Sequence, residues 1–209
     1  GRNGPQENVQ AYDVNIQAAC GLMELTGTDE SGPTRTGAPI LDYGTALAAG
    51  FAISTALYDR EKTGKGCFID LSMQETGLTL MSSTITDFLK TKNVPLRRGN
   101  LANSRSPGSG SFPCKTGMIS LGVNEERHFH NLAEALSRQD WLEDERFSSM
   151  PKRLIHIDEF VLELESELVK YDVDEIEIML QTGGVPAARI RTLEECLSSE
   201  QVQKRSFIY

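Results

Sequence analysis

The sequence predicts an α/β protein, and three observations predict it. Apolar residues recur at helical spacing in several segments, short runs of alternating apolar residues lie between them, and clusters of Gly, Pro, Ser and Thr separate the two. No internal repeat interrupts that alternation. With 209 residues and 39% hydrophobic content, the chain can build one large domain or two small ones of ordinary globular composition.

The opening GRNGPQENVQ is turn-like, lacks an initiator Met and has no signal-peptide core, so it reads as part of a longer, cytoplasmic protein. VQAYDVNIQAACGLMELTG reads as a short strand or irregular lead-in to an apolar helix over 15–25, stopped by Gly27. TDESGPTRTGAP is a loop by composition. Over 44–59 the small residues Ala46, Ala48, Ala49, Gly50, Ala52, Ser54 and Ala56 leave little polar face, so this helix is expected to be buried and closely packed. DREKTGKGCFIDLSM gives a solvated helix end, a Gly-Lys-Gly turn and a strand over 67–72. Leu78, Met81, Ile85 and Phe88 define a helix over 74–90.

SRSPGSGSFPCKTG is too rich in Gly, Ser and Pro for regular structure, and FPCKTGMISLGV then reads as a hairpin turning at Thr116-Gly117. A second module begins here. Its helices are expected over 125–137, 151–171 and 173–182, the last stopped by Gly183-Gly184. VPAARIRT is a strand and LEECLSSEQVQKR a final amphipathic helix.

The net charge of -9 argues against general nucleic-acid binding, which needs a basic face to replace phosphate counterions. No apolar stretch reads as long enough for a membrane span. Cys20, Cys67, Cys114 and Cys196 are widely separated and read as reduced thiols, and His128, His130 and His156 as surface residues, so no metal is expected. From Phe88 to Asn124 the chain has no Asp or Glu but carries Lys90, Lys92, Arg97, Arg98, Arg105 and Lys115. That island suits either a small phosphate-bearing anion or a solvated linker.

Between Glu30 and Asp59 the only carboxylate is Asp42, in GAPILDYGTALAAG. A helix start favours its charged form, so it can act as a nucleophile without a helper base. The alternative is an N-cap, accepting the first free helix amides. Backbone N–H groups near Gly44 are candidate oxyanion donors in the first case. Arg35 reads as a surface arginine or an anion contact.

Taken together, AYDVNIQAACGLMELTG, GAPILDYGTALAAG, ALYDREKTGKGCFIDLSM, the RRGN and SPGSGSFPCKTGMISL stretch, and GGVPAARIRTLEEC resemble the class III CoA-transferase (CaiB/BaiF) family in order and spacing over nearly the whole chain. The resemblance implies part of a Rossmann-like large domain plus a smaller α+β domain. It places a large-domain segment at 1–75, a linking helix and basic loop at 76–105, the small domain at 106–190 and the start of the return at 191–209. It implies transfer of CoA between an acyl-CoA and a carboxylic acid acceptor, with CoA a substrate and no tightly bound cofactor. Asp42 falls on the attacking carboxylate.

A racemase branch pairs that Asp with a His thirty residues upstream, where this chain has Tyr12. A phenol exchanges protons slowly near neutrality, and in transferases a Tyr here contacts the acyl group, so Tyr12 favours transfer. The resemblance also makes Gly44, Gly108 and Gly110 substrate-binding, the latter two in a closing loop, and Arg97 and Arg98 contacts to CoA. It implies a homodimer of interlocked rings, or a missing part on another chain. Asp13 and Gln17 recur in the resembling segment without an assigned chemistry. The competing reading is a non-catalytic assembly fragment.

Overall fold

The computed structural model describes residues 1–102 and 104–207, so Asn103, Ile208 and Tyr209, which fall in the expected 76–105 and 191–209 segments, lie outside the described residues. The chain divides into two compact units, 1–99 and 100–209.

The first unit is helical. It contains α1 (Asp13–Ala19), α2 (Leu22–Leu25), α3 (Ile40–Thr63), α4 (Met73–Leu80) and α5 (Ser82–Thr91). The apolar helix expected over 15–25 is broken because Gly21 adopts φ 90°, a left-handed conformation that ends α1 and starts α2. The helix expected over 74–90 breaks at Met81, which is buried. α1 and α3 both pack on α4. Close approach is possible because Gly77 of α4 faces Cys20 and Leu41, and Leu41 is fully buried.

Three further expectations need correction in this unit. The strand over 67–72 is not formed among the described residues. A lone strand leaves its ladder groups unpaired, and no other strand lies in this unit to meet it. The helix expected to begin at Gly44 starts at Ile40, and its only buried residue is Leu41. Leu47 and Phe51 are 77% and 78% exposed, so the small-residue helix is not enclosed by these residues. By length and composition α3 is also apolar enough to cross a membrane, contrary to the sequence reading, because Thr, Ser and Gly interrupt the apolar run without introducing charge.

The second unit contains β1 (Ser109–Pro113), β2 (Met118–Gly122), α6 (Glu126–Ala135), α7 (Asp140–Glu143), α8 (Met150–Ile155), α9 (Ile157–Leu168), α10 (Val173–Thr182), β3 (Ala187–Arg189), α11 (Leu193–Ser198) and α12 (Glu200–Lys204). Its sheet is antiparallel in the order β1-β2-β3, with Phe112 opposite Ile119 and Leu121 opposite Ala187. The hairpin turns through Gly117 at φ 82°, as the sequence implies. Strand β1 extends back into the segment read as irregular, so Ser109, Gly110 and Ser111 lie opposite Gly122, Leu121 and Ser120. The helix expected over 151–171 is interrupted at His156, and the last helix at Ser199.

Alternation on β2 turns Ile119 and Leu121 inward, onto a core with Phe129, Leu132, Trp141, Phe147, Phe160, Leu164, Leu168, Ile176 and Leu180. Phe160 is its hinge-pin, meeting the rings of Phe129, Trp141 and Phe147 edge-on at 5.6, 5.4 and 5.3 Å. Arg153 is buried beside them, 3.8 Å from the Phe129 ring centroid, and donates to the Phe147 carbonyl and to Glu126. The Trp141 indole N–H donates to Glu163, which also accepts from Arg138 and Arg146. The architecture is mixed α/β, mostly helical, with one small three-stranded antiparallel sheet among the described residues, in the second unit.

Candidate functional site

Asp42 lies in the first turn of α3, three residues after the N-cap Pro39, and so does not cap the helix with its side chain. The capping carboxylate comes from another helix. Asp13, the first residue of α1, accepts from the backbone N–H of Leu41 at 2.8 Å and of Asp42 at 3.2 Å. Its other oxygen accepts from the Gln17 side-chain amide. Gln17, one turn along α1 and fully buried, accepts in turn from the Thr36 N–H at 3.0 Å. The start of α3 and the loop before it are thereby fastened to one face of α1.

The effect on Asp42 is specific. Its own carboxylate is exposed and has no hydrogen-bond or ion-pair partner among the described residues. A neighbouring carboxylate meets the demand of the helix terminus, and Asp42 keeps its lone pairs. Tyr12 precedes Asp13 as the N-cap residue of α1 and is 79% exposed. Tyr12, Asp13 and Asp42 therefore share one hydrogen-bonded frame.

The opening amides of α3 are already used. Ile40 donates to Ala38, Leu41 and Asp42 to Asp13, and Tyr43 to Pro39. Oxyanion donors for chemistry at Asp42 must come from elsewhere than these amides. Gly44 has a packing reason: a Cβ there would lie 3.2 Å from the Thr76 methyl, next to the 3.0 Å bond between the Thr45 and Thr76 hydroxyls.

The basic island divides between the units. Arg97 forms ion pairs with Glu24 and Asp29 and donates to the Thr28 carbonyl, so its fork is occupied. Arg98 is half-buried without a partner among the described residues. Arg35 is exposed and donates to the Thr36 carbonyl. Lys115, in the second unit, pairs with Asp172 at 3.0 Å, which raises its pKa and lowers that of Asp172. Gly108 and Gly110 are buried there. A Cβ at Gly108 would sit 2.9 Å from Val123, and one at Gly110 3.2 Å from Leu101, so both glycines permit close packing. Among the described residues, no group of His, Cys, Asp and Glu is arranged to hold a metal.

Asp13 and Gln17 are the buried, hydrogen-bonded pair that sequence reasoning left without a role. The available signal was their i, i+4 spacing, which puts two polar side chains on one face of an apolar helix.

The pattern of CoA-transferase family III matches residues 1–209. Succinyl-CoA--D-citramalate CoA-transferase of Chloroflexus aurantiacus is 30% identical over all of this chain and 52% of its own length. Succinate--glutarate CoA-transferase of Agrobacterium fabrum is 27% identical over 98% of this chain and 51% of its own. The crystal structure of a CAIB/BAIF family protein from Brucella suis superposes with a TM-score of 0.85 at 27% identity, over 99% of this chain and 54% of that one. The chain spans about half the length of the relatives it matches.

Proposed function

We propose, since the chain belongs to CoA-transferase family III, that it carries the nucleophile of an enzyme that moves CoA between an acyl-CoA and a free carboxylic acid. The observation that carries this reading is the contrast between two carboxylates at one helix start. Asp13 is buried and saturated with donors, whereas Asp42 is exposed and unbonded.

The Asp42 carboxylate attacks the thioester carbonyl, and CoA leaves as thiolate with formation of a mixed anhydride. The thiolate then attacks the aspartyl carbonyl, the donor acid departs, and an aspartyl-CoA thioester remains. The acceptor carboxylate reverses both steps, which regenerates Asp42 and yields the new acyl-CoA. Exposed Tyr12 stands beside this frame to contact the acyl group, and a phenol in place of a second rapid proton carrier supports transfer over racemisation. Arg98, half-buried and uncommitted, is the better of the two adjacent arginines for a CoA phosphate. Gly108 and Gly110, buried and packed against Val123 and Leu101 within the second unit, serve its packing, and Gly44 lets α3 sit close to α4.

In the longer protein, a Rossmann-like large domain completed by the remaining sequence covers the apolar face of α3, in a cytoplasmic, interlocked homodimer. Relatives that act on succinyl-CoA and on dicarboxylic acids support a carboxylic acid acceptor.

The test uses the full-length protein with acyl-CoA and hydroxylamine, followed by mass spectrometry. A hydroxamate at Asp42, absent from Asp42→Ala together with CoA exchange, supports the reading. An unmodified Asp42 in an active enzyme, or an Asp42→Ala variant as active as the parent, refutes it.

A further inference from the structure

We infer that Asp13, buttressed by Gln17, is a positioning residue for catalysis: it holds the backbone of Asp42 in register with Tyr12 through a buried carboxylate shared between two helix starts. The inference rests on the reading of Asp42 as nucleophile and goes beyond it.

Asp13 retains only 9% of its exposure and Gln17 none, so solvent cannot replace their bonds. One bond from Asp13 ends on the N–H of Asp42 itself, at 3.2 Å, and the other on the N–H of the fully buried Leu41, at 2.8 Å. Asp13 opens α1 and its carboxylate sits at the first turn of α3, so the positive ends of both helices face one negative charge. Gln17 fixes the remaining freedom, holding Asp13 with its amide and the Thr36 N–H with its carbonyl. A short side chain on a backbone fastened in this way has little room to miss its target, and misplacement by about 1 Å costs roughly a hundredfold in rate.

A residue that served folding alone would alter the amount of active enzyme, not the reactivity of Asp42 within folded enzyme. Full-length Asp13→Ala, Asp13→Asn and Asp42→Ala are compared with the parent for thermal midpoint, KM for acyl-CoA, kcat per folded protein and hydroxylamine trapping at Asp42. In folded Asp13→Ala, kcat and the trapping rate are expected to fall roughly tenfold to a hundredfold with KM within about twofold. Asp13→Asn keeps an acceptor oxygen but loses its charge, so a smaller fall of about threefold is expected, again at unchanged KM.

Where Asp13→Ala does not fold, Asp13→Asn decides alone. An Asp42→Ala variant that stays active removes the nucleophile reading and this inference with it. Inactive Asp42→Ala beside an unchanged kcat in Asp13→Asn or folded Asp13→Ala overturns the positioning role alone, as does a loss confined to KM.

Discussion

Placing a methyl group on Gly77 tests whether the crossing of α1, α3 and α4 is as tight as its geometry indicates. A Cβ at Gly77 would lie 2.8 Å from the Cys20 sulfur, and 3.4 Å from both the Cys20 Cβ and a Leu41 methyl. The first contact is too short to persist, while the other two are ordinary. Overpacking of this kind costs about 1–3 kcal/mol, whereas Gly to Ala inside a helix returns about 1 kcal/mol of propensity. Gly77→Ala should therefore lose about 0–2 kcal/mol. In a Cys20→Ala background the offending sulfur is gone, and the same substitution should stabilise by about 1 kcal/mol, so the two changes should couple by about 1–3 kcal/mol. Urea denaturation of the parent, the two single variants and the double variant, followed by circular dichroism, gives the coupling energy directly. A coupling below about 0.5 kcal/mol would mean that Gly77 and Cys20 act independently and that the crossing is looser than described.

Glu163→Ala should destabilise the second unit by about 1–3 kcal/mol, because the Trp141 N–H and the Arg138 and Arg146 cations lose a shared acceptor; red-shifted emission of the single Trp with an earlier unfolding midpoint is the readout. Burial raises the pKa of Glu177, but hydrogen bonds from Arg191 and from the Arg189 N–H outweigh it and hold the group below the ordinary glutamate value. A lowered folded-state pKa stabilises above the unfolded value and is lost as pH falls through the folded value, so Glu177→Gln should flatten the acid side of the stability profile below about pH 4.5 and leave neutral pH less stable. The 209-residue chain alone should bind CoA only weakly, since it spans about half of its relatives, and a micromolar Kd by calorimetry would contradict that. Phe51→Lys should make the isolated chain more soluble and the full-length protein less stable, because Phe51 is 78% exposed on an apolar helix that the proposal covers with the remaining sequence.

Local signals were the legible ones. Val173–Thr182 was readable in full because Gly183 and Gly184 stop it, and the hairpin because Gly117 supplies the left-handed turn. Asp42 could be singled out because no other carboxylate lies near it in sequence. What the sequence hid depends on partners. The segment 67–72 has strand periodicity but no strand beside it in this unit, and α3 has the composition of a buried helix without a covering layer here. Arg97 belonged to a basic island by sequence, yet Glu24 and Asp29 neutralise it from across the fold. The tie from Asp13 to Leu41 spans 28 positions, beyond any local capping pattern.

That long-range cap resolves a conflict built into the chemistry. A carboxylate at a helix start is held well when it accepts the free amides, but a carboxylate that has accepted them has spent the lone pairs a nucleophile needs. One aspartate cannot serve both ends. Here the two demands fall on different residues. Asp13 takes the amides and gives up its solvent, and Asp42 takes the position and keeps its lone pairs. Because the cap arises on α1, next to Tyr12, the bond that frees the proposed nucleophile also sets its relation to the residue proposed to meet the acyl group. Local capping by a residue at position 39 would have freed Asp42 equally well but left α1 untethered, and Pro39, with no side-chain acceptor, leaves that role to Asp13.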